Sequence, residues 1–171
     1  ELVKLCLVHD NTPTIRNALG ENCLHLACQH GHAAVAGLLL ARPLGRDAKA
    51  TRAELAVVDV RDRVGEQHWA PLHHAVYHRQ EAVCRLLVAS RADVEYRDYN
   101  GSTPLMMACQ RKELGMVKVL VQAQADFDAR DNLGRSALHF AAARCPQAVV
   151  RMLVQCGAKT RLKDHDGLTA S

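Results

Sequence analysis

Aromatic side chains are scarce in this chain: Phe, Trp and Tyr make up 4% of its 171 residues, although apolar residues make up 49%. Ala, Leu and Val must therefore fill the interior, which suits thin layers of closely approaching helices better than a bulky globular centre. Strong charge is lacking too. A formal charge of +4 is too weak by itself to argue for nucleic acid or a membrane surface. No apolar run approaches the length of a membrane-spanning helix, and no signal-peptide pattern precedes the first periodic segment. Paired cysteines are missing as well: Cys6, Cys23, Cys28, Cys84, Cys109, Cys145 and Cys156 form no CxxC motif and are odd in number. Reduced thiols in small apolar slots are expected, in a protein that is cytoplasmic, nuclear or both.

What the chain does have is a period. The tips Asn17-Ala-Leu-Gly20, Asp62-Arg-Val-Gly65, Asp98-Tyr-Asn-Gly101, Asp131-Asn-Leu-Gly134 and Asp164-His-Asp-Gly167 recur at steps of 45, 36, 33 and 33 residues. With 33 as the unit, the first two steps carry insertions of 12 and 3 residues. Such self-similarity marks stacked units, none of which can bury its apolar face alone. Arrays of this kind usually work through a surface instead of a catalytic pocket.

Behind each tip stands a helix start. Gly20 is followed by Asn22-Cys-Leu-His-Leu-Ala27, and Gly65, after the short insertion Glu66-Gln-His68, by Ala70-Pro-Leu-His-His-Ala75. Thr103-Pro-Leu-Met-Met-Ala108 and Ser136-Ala-Leu-His-Phe-Ala141 follow in register. Over essentially its whole length the chain resembles the ankyrin repeat, whose hallmark is Thr-Pro-Leu-His-x-Ala just after the tip glycine. The resemblance implies an all-α solenoid of stacked helix-turn-helix units with short β-hairpin tips. The expected division is a partial repeat 1–16, repeats 17–61, 62–97, 98–130 and 131–163, and a partial repeat 164–171, with insertions in the first two complete repeats. Neither end reads as a polar cap, so a segment of a longer protein, or one lacking its terminal residues, is expected.

In repeat 98–130 the pattern predicts a first helix over about Pro104 to Arg111, with proline in the first turn, where a missing N–H costs nothing. A second helix is predicted from about Leu114 to Gln122, with Met116, Val117, Val119 and Leu120 in one buried stripe. Its counterparts are Val35, Leu38 and Leu39, then Val83, Leu86 and Leu87, then Val149, Met152 and Leu153. The large insertion falls between Leu40 and Val58. Its polar, basic composition predicts a solvated loop with room for a helical turn around Ala50 to Ala56. Glycine at the helix ends is often replaced: Arg79, Lys112 and Cys145 stand in the slot of Gly31, and Arg91 and Gln124 in that of Gly157. A non-glycine residue in a left-handed cap costs roughly 1 kcal/mol, so moderate stability is expected.

Little of this suggests catalysis. His25, His73 and His139 fill the slot whose ring, in the family resembled, hydrogen-bonds between adjacent tips. His74 and His78 lie one helical turn apart, and His68 is near His73, yet no cysteine or carboxylate accompanies them at recognised metal-ligand spacing. The cysteines follow repeat register without a paired base, and no glycine loop could cradle phosphate. No enzyme activity, metal or cofactor is expected.

The surface says more. In ankyrin proteins partners engage the tips and first helices, which line a concave face. The residue before each tip is basic throughout: Arg16, Arg61, Arg97, Arg130 and Lys163. Late first-helix positions hold Gln29 and His30, Tyr77 and His78, Gln110 and Arg111, then Ala143 and Arg144. The tips and the positions just beyond them add Glu21, Arg63, Trp69, Tyr99, Ser102, Asn132 and Arg135. Aromatic residues and arginines are the types most often found as binding hot spots. Arg61, Arg63, Trp69, Tyr77, His78, Arg97, Tyr99, Arg111, Arg130, Arg135 and Arg144 are accordingly expected to contact a partner. The chemistry suits an acidic or phosphorylated protein segment. Nucleic acid is not expected, because the basic residues come one per repeat and no groove-reading helix accompanies them. A regulatory segment of a larger enzyme or channel, or a regulator like the NF-kappaB inhibitors, is the alternative.

Overall fold

The computed structural model describes residues 16–41 and 68–170. The first partial repeat up to residue 15, the large insertion with the helical turn expected in it, the tip Asp62–Gly65, and Arg61 and Arg63 lie outside the described residues. Eight helices are described: α1 (Cys23–His30), α2 (Ala33–Ala41), α3 (Pro71–Tyr77), α4 (Glu81–Ala89), α5 (Pro104–Arg111), α6 (Leu114–Gln122), α7 (Ala137–Arg144) and α8 (Gln147–Gln155). The spans of α5 and α6 are those the sequence predicts. Among the described residues the only β pairing is an isolated bridge between Lys163 and Thr169. The fold is the all-α helix-pair architecture of ankyrin repeats.

Two units divide the chain, Glu1–Asp93 and Val94–Ser171. In the first, α1 packs against α2 and α3, and both α2 and α3 pack against α4. In the second, α5 packs against α6 and α7, and α7 against α8. Each first helix therefore touches the next first helix of its unit.

The starts of the first helices share one device. Asn22 Oδ1 accepts the N–H groups of Leu24 and His25, each at 3.0 Å, satisfying donors that a helix leaves open. The ring then reaches back: His25 Nδ1 accepts the Asn22 N–H at 3.2 Å. His73 does the same for Ala70 at 3.4 Å, and His139 for Ser136 at 3.1 Å. Accepting at Nδ1 places the proton on Nε2, which in His139 donates to the Leu168 carbonyl at 3.2 Å, in the next tip. Met106 occupies the slot in α5, where Thr103 Oγ1 caps alone at 3.4 Å.

Helix ends carry the strain that the missing glycines imply. Arg79, Arg91, Lys112 and Gln124 adopt φ of 62°, 61°, 64° and 60°. Cys145 departs from this expectation: its φ of −94° and ψ of 158° are extended. Pro146 is the cause, since a residue before proline is pushed out of helical conformations.

The apolar stripe of α6 is buried as expected, through Met116, Val117, Val119 and Leu120. Val83 and Leu87 in α4 and Val149 and Leu153 in α8 are buried likewise, with Leu86 and Met152 half-covered. In α2 the expectation fails: Leu38 is 57% exposed and Val35 and Leu39 are only half-buried, while Ala36 is fully buried. Leu38 shares its register with Leu86 and Met152, which are also incompletely covered, whereas Val119 of α6 in that register is buried.

The tips explain the Asp-x-x-Gly pattern atom by atom. Asp131 Oδ1 accepts the N–H groups of Leu133 at 3.0 Å and Arg135 at 2.8 Å. Asp98 and Asp164 grip their own tips in the same way, and Asn17 does so through its amide oxygen. The backbone closes around this carboxylate, with the Gly134 N–H donating to Asp131 O and the Asp131 N–H to Arg135 O, each at 2.9 Å. Successive tips of the second unit then dock through Asn132 N–H to Asn100 O at 2.9 Å and His165 N–H to Leu133 O at 3.0 Å.

Gly134 has two reasons to be glycine. Its φ is +77°, and a Cβ there would stand 2.7 Å from His165 Cδ2 and 3.1 Å from His165 N. Gly167 has a φ of +78° but nothing within 4 Å of the same position. Gly167→Ala is expected to cost about 1–2 kcal/mol, the conformational term alone. Gly134→Ala should cost at least about 1 kcal/mol more, because the next tip must move away. Urea unfolding of the two variants side by side measures that difference.

Candidate interaction surface

In the first unit the expected partner residues Trp69, Tyr77 and His78 come together. Trp69 stands just before α3, while Tyr77 and His78 end it. The Trp69 and Tyr77 rings lie 4.5 Å apart between centroids at 44°, and Tyr77 meets His78 edge-on at 5.1 Å. His74 joins from beneath, 5.3 Å from Trp69 and stacked on His78 at 6.3 Å. It also meets His25 of α1 edge-on at 5.3 Å. His74 is buried to 4% exposure, so it roots the cluster in the packing of α1 on α3. Tyr77 is 38% exposed, which leaves the cluster an outer face. The indole N–H of Trp69 is buried and meets no acceptor among the described residues.

The second unit holds the arginines, and it uses them unequally. Arg97 donates to the backbone carbonyl of Arg130 at 2.5 Å, and Arg130 in turn to the carbonyl of Lys163. Arg130 also reaches its own tip, with Nε donating to Gly134 O at 2.9 Å. The basic residue before a tip thus forms a rung to the next basic position, 33 residues on. In the first unit Arg16 donates to the carbonyl of Gly20.

Arg135 is held hardest. Its Nε and Nη2 donate to Asp131 Oδ2 at 2.9 and 2.7 Å, and its guanidinium lies 4.6 Å over the Phe140 ring. Asp131 is buried, so this ion pair neutralises a carboxylate that the tip itself requires. Arg111 and Arg144 stand on the first helices instead. They are the last residues of α5 and α7, in the same register on neighbouring helices, with Arg111 half-buried and Arg144 exposed. Tyr99, at the tip, is 63% exposed. Arg61 and Arg63 lie outside the described residues.

Sequence reasoning passed over one feature of this surface. Leu133 and Leu168 are 55% and 62% exposed beside Tyr99's 63% in the same unit. The signal was available, since both leucines flank tip glycines whose turns point outward by construction. The pairing of Arg135 with Asp131 was also readable, as basic and acidic residues four apart across one turn.

Cysteine chemistry is muted across much of the molecule. Burial pushes the Cys28 thiol well above its ordinary range, with Cys84 adding to the effect. Burial likewise pushes Cys84 up to about 12, and Glu81 outside it adds to this against the opposing charge of Arg85. Neither is a nucleophile near neutrality. Cys23 corrects the expectation of reduced thiols throughout, because it is disulfide-bonded. The other described cysteines are free. No group of three or more His, Cys, Asp or Glu side chains among the described residues is placed to hold a metal ion. No described helix is long and apolar enough to cross a membrane.

Comparison with known proteins decides the family. A family model described as ankyrin repeats (3 copies) matches residues 1–98 and 72–164. The chain belongs to the ankyrin-repeat family. Ankyrin repeats are protein–protein interaction modules, and the family is typically non-catalytic. Human NF-kappa-B inhibitor alpha is 29% identical to this ankyrin chain over 92 residues, covering 54% of the chain and 26% of that protein. The chain therefore spans about a quarter of the length of the curated relative it matches.

The two kinds of arginine separate experimentally. Arg135→Ala strips a buried carboxylate of its ion-pair partner and is expected to destabilise the protein by about 1–3 kcal/mol. Arg135→Lys should recover only part of that, because lysine cannot reproduce the bidentate bond or the ring contact. Arg144→Ala, on the exposed end of α7, should stay within about 0.5 kcal/mol of the parent. Chemical denaturation midpoints distinguish these outcomes.

Proposed function

We propose that this ankyrin module binds an acidic or phosphorylated segment of a protein partner and has no catalysis of its own. Contact would be made by the first-helix ends and tips, the face that ankyrin arrays offer as a concave groove. The observation that carries this reading is the pairing of Arg111 and Arg144 in one register on the packed helices α5 and α7. Among the described residues Arg144 has no ion-pair partner. Guanidinium groups grip carboxylate and phosphate through paired charge-assisted hydrogen bonds. Exposed Tyr99 adds a ring at the neighbouring tip. Arg97 and Arg130 place further positive charge along the tips while holding carbonyls, and Arg135 does so while holding Asp131.

In the first unit, Trp69, Tyr77 and His78 supply a contact of another kind, flat and aromatic, suited to an apolar anchor on the partner. Nucleic acid fits less well, because the rungs before the tips spend their donors on backbone carbonyls instead of leaving a continuous basic track. A cytoplasmic or nuclear location follows from a partner of this class and remains part of the proposal. So does the division into repeats at residues 17, 62, 98, 131 and 164.

A second reading has its own observation. The 29% identity to NF-kappa-B inhibitor alpha over 92 residues favours a regulator that masks a transcription factor, within the same class of protein binding. A regulatory segment of a larger enzyme or channel is the other form this reading takes.

Binding to an array of acidic, phosphorylated and neutral peptides tests the proposal. Acidic and phosphorylated peptides should bind, and binding should weaken as salt rises from low to physiological ionic strength. Arg111→Glu with Arg144→Glu should lower affinity by about 100-fold or more, as expected when two charge-assisted contacts turn repulsive, with the circular dichroism spectrum unchanged. Equal binding by the double variant at low salt would overturn the reading.

A further inference from the structure

Two thiols of the second unit meet in a way that the other cysteines do not. Cys109 lies in the last turn of α5 and is fully buried, while Cys145 follows α7 directly and is partly open to solvent. The Cys145 thiol donates to the Cys109 backbone carbonyl at 3.2 Å, and the two side chains are themselves in hydrogen-bond contact. Both thiols are free. The contact depends on the extended backbone that Pro146 imposes at Cys145. In the equivalent slots, Gly31 has no side chain and Lys112 has a left-handed backbone.

We propose that Cys145 is a site of peroxide oxidation, with Cys109 as the resolving thiol that captures it in an intramolecular disulfide. In the first step the Cys145 thiolate attacks hydrogen peroxide. An S–O bond forms, the O–O bond breaks, hydroxide leaves, and the sulfur is oxidised to sulfenic acid. In the second, the Cys109 sulfur attacks the sulfenyl sulfur. The S–S bond forms, the S–O bond breaks, and the departing hydroxide takes the Cys109 proton as water. Two thiols and one peroxide thus give one disulfide and two waters.

The electrostatics favour this order of events. The hydrogen bond with the Cys109 side chain lowers the Cys145 thiol to about 7, with help from the Lys112 charge and against the effect of burial. The same contact, reinforced by burial, raises Cys109. The reactive thiolate is therefore the one that peroxide can reach, and the protonated partner waits behind it. Other cysteines lack one half of this arrangement. Cys28 and Cys84 are buried with raised thiols, and Cys156 is exposed with no thiol against it among the described residues. The disulfide would tie together the ends of α5 and α7, the ends that carry Arg111 and Arg144. The inference does not depend on what those arginines bind.

Fully reduced protein treated with hydrogen peroxide, alkylated and mapped by mass spectrometry tests it. The expected first product is a Cys109–Cys145 cross-linked peptide that a dithiol reductant reverses. Cys145→Ser should abolish the cross-link and leave Cys109 reduced. Cys109→Ala, verified as folded by circular dichroism, should leave Cys145 as a sulfenic acid that a cyclic 1,3-dione traps. Should Cys145 stay alkylatable while Cys156 oxidises, the proposal fails. It fails equally if Cys145 of the parent protein pairs with another cysteine or proceeds to sulfinic acid uncrosslinked.

Discussion

One carboxylate oxygen accepting two backbone N–H groups organises each described tip of the second unit. Asp131 fixes the turn through Leu133 and Arg135, and the fixed turn brings Gly134 to a φ of +77°. Only with a glycine there can the next tip come close enough for the His165 N–H to reach the Leu133 carbonyl at 3.0 Å. The order of dependence runs from side chain to turn, from turn to docking, and from docking to the stacking of helices behind. A buried carboxylate is costly unless neutralised, and Arg135 neutralises it. The tip is therefore both a fold element and a charge problem already solved within itself.

The histidine of the helix start couples this edge to the core. His139 accepts from Ser136 through one ring nitrogen and donates to Leu168 through the other, so one ring closes a helix terminus and latches the following tip. Opposing it are the helix ends, where Arg79, Arg91, Lys112 and Gln124 hold left-handed conformations that glycine would adopt without strain. At roughly 1 kcal/mol each, they subtract from a folding free energy that is small to begin with. A stack of this kind gains its stability from neighbours, and local strain lowers it repeat by repeat.

Much of the fold was legible because the signals were redundant. Pro104 set the start of α5, and the spacing of Met116, Val117, Val119 and Leu120 set the buried face of α6. Glycine set each described tip. The failures have separate causes. Pro146 turned Cys145 away from the cap its position implied, while Leu38 stays in solvent at a register that α6 buries with Val119. The surface was less legible than the fold. Sequence placed eleven residues on one functional face, but it could not show that Trp69, Tyr77 and His78 would form one ring cluster with a buried His74. Nor could it show that a residue before a tip would bond a carbonyl 33 positions away.

That last point bears on how a repeat protein acquires a binding surface. In the second unit the arginine in the pre-tip register bonds the carbonyl of the next pre-tip position, as Arg97 and Arg130 do. Its presence there is then explained by stacking before any partner is invoked. The end of the first helix is different, for its cap is closed by backbone N–H groups, as those of Lys112 and Glu113 close α5, and needs no arginine side chain. The equivalent position carries His30, His78, Arg111 and Arg144 in successive repeats, a change from imidazole to guanidinium. Positions that the fold constrains least are where a partner's chemistry can be written. Arg144, exposed at the end of α7, stands there.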